Sequence, residues 1–285
     1  MPSLIDIRRR IRSVKNTQQL TKAMKTVSAA KLRRAQERVM SARPYAAQLK
    51  GVLANLAARI ENVSHPLLEV RKEDRILAVV VTADRGLCGA FNSNVIKTGQ
   101  TFLRQHQDQQ LQLSLIGKKG RDFFKRRRAT IHSEFVNIFS RLDFSHAREI
   151  SAKINEVYTN AEFDAVYLIY NEFKSVIQQR LVVEKLLPFD RGELRHETAA
   201  QIDYIYEQTP QEIFGRLLPR YVETQVFRAL LESAAAEHGA RMAAMDTASR
   251  NAGEMIERLT LNMNRIRQAA ITREIIEVVS GAGAL

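Results

Sequence analysis

The chain has 285 residues and a net charge of +13, and 45% of its residues are hydrophobic and 26% charged. This composition is typical of a folded soluble protein and excludes a disordered chain. Its longest apolar run, residues 76–81, is too short to span a membrane, and its N-terminus lacks the apolar segment of a signal peptide. The single cysteine, Cys88, excludes an internal disulfide and a CxxC site and favours a reducing, cytoplasmic compartment.

A long helix is predicted from Ser3 to about Arg59, because no Gly or Pro occurs between Ser3 and Arg43. Ser3 is a suitable N-cap, and Asp6 lies in the first turn, where the helix dipole favours an anion. Pro44 is expected to kink or break this helix, because proline lacks a backbone donor and clashes with the preceding turn.

The centre of the chain is typical of an α/β domain. Strands are predicted at residues 76–82, 111–116, 130–136, 163–170 and 175–186, and helices at 92–106 and 145–161. Strands that alternate with helical segments of this length indicate βαβ units and a mainly parallel sheet. A polar loop at 191–198 and a short extended piece at 202–206 complete the domain.

The C-terminal segment predicts a second long helix, introduced by Pro210, which Pro219 is expected to bend or to start. A 3.5-residue apolar period typical of a supercoiled helix pair runs through it. Its members are Leu231, Ala235, His238, Met242, Met245, Ser249, Ala252, Ile256, Leu259, Met263, Ile266 and Ala270. A helix over residues 212–279 would be about 100 Å long at 1.5 Å per residue, which suits a shaft better than a globular core.

The predicted fold class is therefore α/β, with a long antiparallel coiled coil of the N- and C-terminal helices and a central Rossmann-like α/β domain. The predicted boundaries are 1–60 and 210–285 for the two coiled-coil helices and 70–208 for the central domain. An antiparallel pairing requires the entry and exit of the central domain, near Arg71 and Gln208, to lie at one end.

Almost all of the excess charge lies on the N-terminal helix, where residues 1–60 contain 14 Lys or Arg and two Asp or Glu. The basic positions cover most of the helix circumference, whereas a solvated face would explain only one side. They are Arg8, Arg9, Arg10, Arg12, Lys15, Lys22, Lys25, Lys31, Arg33, Arg34 and Arg38. The pattern favours an acidic surround, and composition alone leaves nucleic acid, anionic lipid and an acidic protein surface as alternatives.

The turn DRGLCG at residues 84–89 stands between a predicted strand and a predicted helix, but it lacks both phosphate-loop patterns, GxGxxG and GxxxxGK[ST]. We interpret it as a tight strand-to-helix turn, and GKKG at residues 117–120 as a solvated turn. The six histidines lack zinc-ligand spacing. No catalytic, cofactor or metal site is predicted.

Three segments carry a resemblance to a known family. IRSVKNTQQLTKAMK at residues 11–25 and SAAKLRRAQ at 28–36 resemble the N-terminal helix of the γ subunits of F-type ATP synthases. TADRGLCG at 82–89 looks like that family's central signature, and RQAAITREIIEVVSGA at 267–282 is similar to its C-terminal one. The absence of an inserted loop with a cysteine pair favours the bacterial type over the chloroplast type.

The resemblance implies a central rotor shaft that has no catalytic site and couples proton flow to ATP synthesis or hydrolysis at the β subunits by rotation. Its implied partners are the α and β subunits of the catalytic head, the ε subunit and the ring of c subunits, with no nucleic acid and no direct membrane insertion. The implied location is peripheral, on the cytoplasmic side of the cell inner (plasma) membrane.

The resemblance also assigns contact residues. Those matching the family's β-subunit contacts are Met24, Lys25, Arg241, Gln268 and Thr272. Those matching the contact of the foot with the c-ring are Tyr204, Tyr206 and Glu207. The implied basic face of the shaft comprises Arg8, Arg9, Arg12, Arg33 and Arg34.

Beyond Ala270 the apolar residues Ile275, Ile276, Val278 and Val279 lie on more than one helix face. A helix that is apolar on several sides must be buried on all of them. We therefore expect partner subunits to form a sleeve around this tip.

Two rival classes make different predictions. A nucleic-acid-binding coiled coil would show strong DNA affinity that falls steeply with salt. A dinucleotide-dependent enzyme would need a glycine fingerprint and a ribose-binding acid about 20 residues later, and that fingerprint is missing.

Overall fold

A computed structural model describes residues 3–59, 65–175, 178–189 and 209–282. The chain forms two compact units. The helical unit comprises Met1–Ala29 and Arg241–Leu285, and the sheet unit comprises Ala30–Ala240. Two long helices, α1 (Leu4–Arg59) and α5 (Pro210–Ala282), contribute residues to both units.

Both long helices continue through their internal prolines. Of the kink or break predicted at Pro44, the break is wrong, because α1 is one helix from Leu4 to Arg59. Val39, Ala46 and Leu49 are buried on either side of Pro44, and tertiary packing of this kind outweighs the roughly 3 kcal/mol that a helical proline costs. Pro219 is likewise internal, since α5 begins at Pro210.

The sheet unit contains one five-stranded sheet, with strands β1 (Arg75–Val81), β2 (Gln110–Ile116), β3 (Ile131–Phe135), β4 (Ala165–Phe173) and β5 (Gln179–Leu187). The strand order is β3-β2-β1-β4-β5, and only the β4–β5 pairing is antiparallel. The connecting helices are α2 (Phe91–Gln105), α3 (Lys118–Arg126) and α4 (Phe144–Thr159), and short 3₁₀ turns occur at Pro66–Leu68 and Ile138–Ser140. The predicted α/β domain with a mainly parallel sheet is therefore confirmed.

The central strand β1 is buried from Ile76 to Val81, as expected for a parallel strand covered on both faces. Alternate β1 residues, such as Ala78 and Val80, belong to a core cluster that includes Val95 of α2, Leu115 of β2 and Phe124 of α3. Burial on both faces explains why β1 reads as a continuous apolar run rather than an alternating one.

The interpretation of residues 117–120 as a solvated turn is wrong, because α3 starts there against the end of β1. Gly117 has a φ of +91°, and a Cβ at this position would lie 2.0 Å from the Thr82 carbonyl oxygen. At Gly120 a Cβ would lie 2.8 Å from the Thr82 hydroxyl, which accepts a 2.8 Å hydrogen bond from the Gly120 amide. The two glycines therefore permit a close approach that sequence spacing alone did not reveal.

Replacing Gly117 by alanine should lower the free energy of unfolding by about 2–4 kcal/mol, because a left-handed conformation and a backbone overlap are both forced on the new side chain. Gly51 is the matched control: it lies inside α1, and a Cβ there meets nothing within 4 Å. Gly51→Ala should instead raise the free energy of unfolding by about 0.5–1 kcal/mol. Denaturant unfolding of the purified variants measures both, and equal small changes would contradict the close approach at Thr82.

Candidate protein-interaction surface

The helical unit is an antiparallel pair formed by the start of α1 and the end of α5. The Gln18 side-chain amide donates to the Ser249 carbonyl oxygen at 3.3 Å, and the Lys25 ammonium lies 2.6 Å from the Asp246 carboxylate. The residue numbers of the contacting pairs therefore increase along α1 and decrease along α5, as they do in an antiparallel pair. The predicted heptad stripe faces inward, since all of its members from Met242 to Ala270 are buried or half-buried.

Between Gln18 and Ser28 of α1, several small and polar residues line the seam between these two helices. Thr21 and Ser28 of α1 and Ser249 and Ala252 of α5 are all buried. Gly253 belongs to the same seam, because a Cβ there would lie 3.1 Å from the Gln18 amide nitrogen. Small residues let the two backbones approach closely.

Two larger apolar residues of this part of α1 point outward. Leu20 is 66% exposed and Val27 is 56% exposed. The seam follows Gln18 and Thr21 at this level, whereas nearer the start of α1 Ile7 is buried and Ile11 and Val14 are half-buried. The result is an apolar strip on the outside of the helical unit.

The residues predicted to contact a β subunit all lie in the helical unit. Met24 and Arg241 are half-buried, and Lys25, Gln268 and Thr272 are exposed. Gln268 and Thr272 are one helical turn apart, and the Thr272 hydroxyl donates to the Gln268 carbonyl oxygen at 2.9 Å. Lys25 is engaged within the unit by Asp246, which holds the ammonium on the outer surface of the pair.

The predicted basic face is exposed at each of its five positions, Arg8, Arg9, Arg12, Arg33 and Arg34. Arg33 forms an ion pair with Glu37 at 3.3 Å, and both side chains remain largely exposed. Such a pair is worth little in water, so these arginines retain most of their capacity to bind an external anion.

The end of α5 is exposed on every side from residue 271 to residue 280. Ile276 is 58% exposed and Val279 is 65% exposed, and Ile275 and Val278 are exposed in the same way. An exposed apolar surface of this kind is typical of a site that binds another protein.

In the sheet unit, Asp84 closes the edge at which open α/β sheets usually bind ligands. Its Oδ1 accepts from the backbone amides of Lys118 at 3.0 Å and Asn137 at 2.8 Å, and its Oδ2 accepts from Phe139 at 3.4 Å. One carboxylate therefore joins the segments that follow β1, β2 and β3. It occupies the N-terminus of α3, where a phosphate would bind in a nucleotide site.

The turn from β1 to α2 is closed by a side chain as well. Asn92 accepts from the Ala83 amide at 2.9 Å, and its own amide group lies 3.1 Å from the Cys88 sulfur. The segment at 84–89 is thus the predicted tight strand-to-helix turn. Across the described ranges, no group of three His, Cys, Asp or Glu side chains could hold a metal ion.

The predicted c-ring contacts Tyr204, Tyr206 and Glu207, with the extended piece at 202–206 and the loop at 191–198, lie outside the described residues. Among the helices that are described, none is long and apolar enough to cross a membrane.

Comparison with known proteins decides the family. The family model described as ATP synthase matches residues 3–285. The chain is 54% identical to the ATP synthase gamma chain of Solibacter usitatus over 288 residues, which cover 100% of this chain and 99% of that protein. It is 50% identical to the ATP synthase gamma chain of Pelotomaculum thermopropionicum over 285 residues, with both chains covered completely.

The chain belongs to the ATP synthase gamma-chain family. The predicted family is thereby confirmed, and with it the predicted role, because a gamma chain is the non-catalytic rotary shaft of an ATP synthase.

Solved structures agree on the fold of this gamma chain. The central stalk and c-ring structure of the Tetrahymena thermophila mitochondrial ATP synthase contains a chain with 26% identity and a TM-score of 0.61, covering 81% of this chain and 99% of that one. A chain of the Euglena gracilis mitochondrial ATP synthase has 20% identity and a TM-score of 0.70, covering 99% of this chain and 94% of that one. At 20% identity, the second match shows the fold alone.

Sequence reasoning missed Asp246, the partner of the gamma chain's Lys25. A usable signal was present: Asp246 directly follows the seam residue Met245, and positions flanking a heptad seam typically carry interhelical ion pairs. Asp84 was also missed, because its three backbone partners come from two later loops.

The Lys25 ammonium lowers the pKa of the Asp246 carboxyl, first by its hydrogen bond and then by its charge, with a small further lowering from Arg250. A carboxyl whose pKa is lowered in the folded state stabilises the fold at neutral pH and loses this contribution as the pH falls through the folded pKa. Lys25→Met should therefore raise the pKa of Asp246 towards its ordinary value, as measured by NMR titration of the carboxyl carbon.

Arg250→Met is the matched control for this titration. Arg250 is also a neighbour of Asp246, but its nitrogen is 3.8 Å away and exposed to water. Arg250→Met should therefore raise the pKa of Asp246 less than Lys25→Met does. An equal or larger rise with Arg250→Met would mean that the Lys25 pair is not formed in solution.

Proposed function

We propose that this shaft couples transmembrane proton flow to ATP synthesis or hydrolysis by rotating its asymmetric helical unit against the β subunits of a catalytic head. The head contains α and β subunits, and the sheet unit forms a foot with the ε subunit on the ring of c subunits. The observation that carries this proposal is the exposed apolar tip of α5 in a chain that is a gamma chain over its full length.

Rotation changes the nucleotide sites only if the shaft differs from side to side, because a uniform cylinder would affect all β subunits equally. The helical unit has this asymmetry. Leu20 and Val27 present an apolar strip on α1, and Gln268 and Thr272 present polar groups on α5. A β subunit therefore meets a different surface as the shaft turns.

The energy needed for such switching is modest. Moving a two-state element from 1:99 to 99:1 requires about 5.5 kcal/mol of differential contact energy. Hydrogen bonds to charged groups contribute about 1.5–3 kcal/mol each. A few contacts from Met24, Lys25, Arg241, Gln268 and Thr272 supply this amount, and the exposed ammonium of Lys25 can bind a second carboxylate beside Asp246.

The basic face complements acidic surface on the surrounding head. Arg8, Arg9 and Arg12 are exposed in the helical unit, and Arg33 and Arg34 are exposed in the sheet unit. Charges of one sign on the shaft and the opposite sign on its surround steer assembly and oppose incorrect partners.

For the foot, we propose that Tyr204, Tyr206 and Glu207 contact the c-ring. This part of the proposal rests on the family resemblance of residues 203–207. The gamma chain would then be a peripheral protein on the cytoplasmic side of the cell inner membrane. Reconstitution tests the whole proposal: membranes that lack the native gamma chain should regain ATP-driven proton pumping when this chain is supplied with the head and the ε subunit.

Neutralising Arg33 and Arg34 together as Arg33→Gln and Arg34→Gln should weaken binding to the α and β subunits most at low salt. The physical reason is that exposed charges are screened over about 10 Å at 0.1 M ionic strength. Titration of the variant against the isolated head at increasing salt measures the effect. Glu37→Gln, which removes a nearby exposed acid instead, should not weaken binding, and a loss independent of salt would indicate packing rather than charge.

Ile276→Asp should reduce assembly with the head about tenfold or more, because an unpaired carboxylate would be buried in the sleeve that surrounds the tip. Val70→Asp is the matched control, since Val70 is an apolar residue of the sheet unit that is 78% exposed. Gel filtration of mixtures with the α and β subunits measures the assembled fraction. If Ile276→Asp assembles as well as Val70→Asp, the tip is not enclosed.

A further inference from the structure

The sheet unit contains a buried carboxylate on α5 whose partners come from two other elements. Glu232 of α5 is only 3% exposed. Its Oε1 accepts from Arg43 of α1, with distances of 3.3 Å to Nε and 3.0 Å to Nη2. Its Oε2 accepts at 3.1 Å from the backbone amide of Phe173, the last residue of β4.

Other polar contacts in the same unit join the sheet or its loops to one long helix each. The Gln179 side-chain amide donates to the Ala236 carbonyl oxygen at 3.0 Å, and the Arg38 guanidinium donates to the Leu142 carbonyl oxygen at 2.8 Å. Glu232 differs from these contacts because one side chain binds the sheet and the opposite long helix at the same time.

We propose that Glu232 is a positioning residue that locks the sheet to α1 and α5 within the sheet unit, so that torque on the foot turns the long helices without slip. The inference rests on the proposed function, in which the sheet unit receives the torque. Glu232 acts only through its hydrogen bonds to Arg43 and to the end of β4, and it takes no part in nucleotide binding or proton transfer.

A buried charge is suited to this task for a directional reason. Apolar contacts are non-directional, so they do not by themselves fix which atoms face one another. A hydrogen bond weakens steeply when its distance or angle changes. Moving either partner away also leaves one buried carboxylate oxygen without its donor, which is unfavourable. The lock therefore resists small displacements that the apolar packing alone would allow.

Glu232→Ala should open this joint about tenfold more often, because the buried Phe173 amide loses its acceptor. Glu232→Gln keeps one oxygen, which can accept from the Phe173 amide, but its NH2 group replaces the oxygen that accepted from Arg43. It should therefore open the joint less often than Glu232→Ala and more often than the wild type. Glu223→Ala is a control on the same helix, since Glu223 pairs with Arg220 within α5 at 2.8 Å.

The experiment uses the complete ATP synthase in inverted membrane vesicles, with ATP hydrolysis and proton pumping recorded together against an increasing opposing gradient. Glu232→Ala should hydrolyse ATP at nearly the wild-type rate and lose protons pumped per ATP as the gradient rises. Glu223→Ala should follow the wild type, and Glu232→Gln should lose coupling to a smaller extent than Glu232→Ala. Pumping by Glu232→Ala that stays tightly coupled at every gradient, or an equal loss in Glu223→Ala, would overturn the lock.

A second variant keeps the test decisive if Glu232→Ala does not assemble. Arg43 is partly exposed, so Arg43→Ala should assemble and lose coupling at high gradient to a smaller extent, since the Phe173 amide keeps its acceptor. If Arg43→Ala pumps as many protons per ATP as the wild type at high gradient, the role of the Arg43–Glu232 pair is overturned. Failure of the wild-type chain to restore pumping would overturn the proposed function instead, so the two failures are distinguishable.

Discussion

A long helix is stable in water only where another element covers one of its faces, and this constraint governs the whole molecule. In the sheet unit, α5 buries residues such as Phe214, Leu218 and Val222, and the cover comes from the chain itself. In the helical unit two helices share one narrow seam, so most of the surface of its described residues is exposed. The described part of the chain therefore covers α5 in the sheet unit and leaves apolar surface exposed in the helical unit.

The sheet unit also explains how a fold associated with nucleotide binding serves a shaft. The loops that follow β1, β2 and β3 converge where such folds bind phosphate. Here the Asp84 carboxylate accepts the amides of Lys118 and Asn137, and the side-chain oxygen of Asn92 accepts the Ala83 amide. The protein's own side chains thus fill the anion site, and the edge becomes rigid rather than ligand-dependent. Rigidity is the property that a rotor component requires.

Much of this architecture follows from periodicity. The strands, most helices and the heptad stripe were predictable, because the β1 run and the spacing of Met242, Met245 and Ser249 report burial directly. Helix α3 was not predictable, since Gly117 and Gly120 indicate a turn until Thr82 is known to pack against them. The inward position of Thr21 and Ser28 was missed for a related reason: a pattern search assigns apolar residues to the inside, whereas Leu20 and Val27 are exposed at this level of the helix pair. The contact residues came from family resemblance and not from pattern.

The exposure of the α5 tip has a consequence for biogenesis. A newly made chain exposes Ile275, Ile276, Val278 and Val279 together with a strongly basic α1. Apolar patches promote aggregation, and clustered cations attract RNA and other polyanions. The time that the chain spends alone is therefore a hazard to the cell, and its synthesis is best matched in amount and timing to that of the subunits that enclose it.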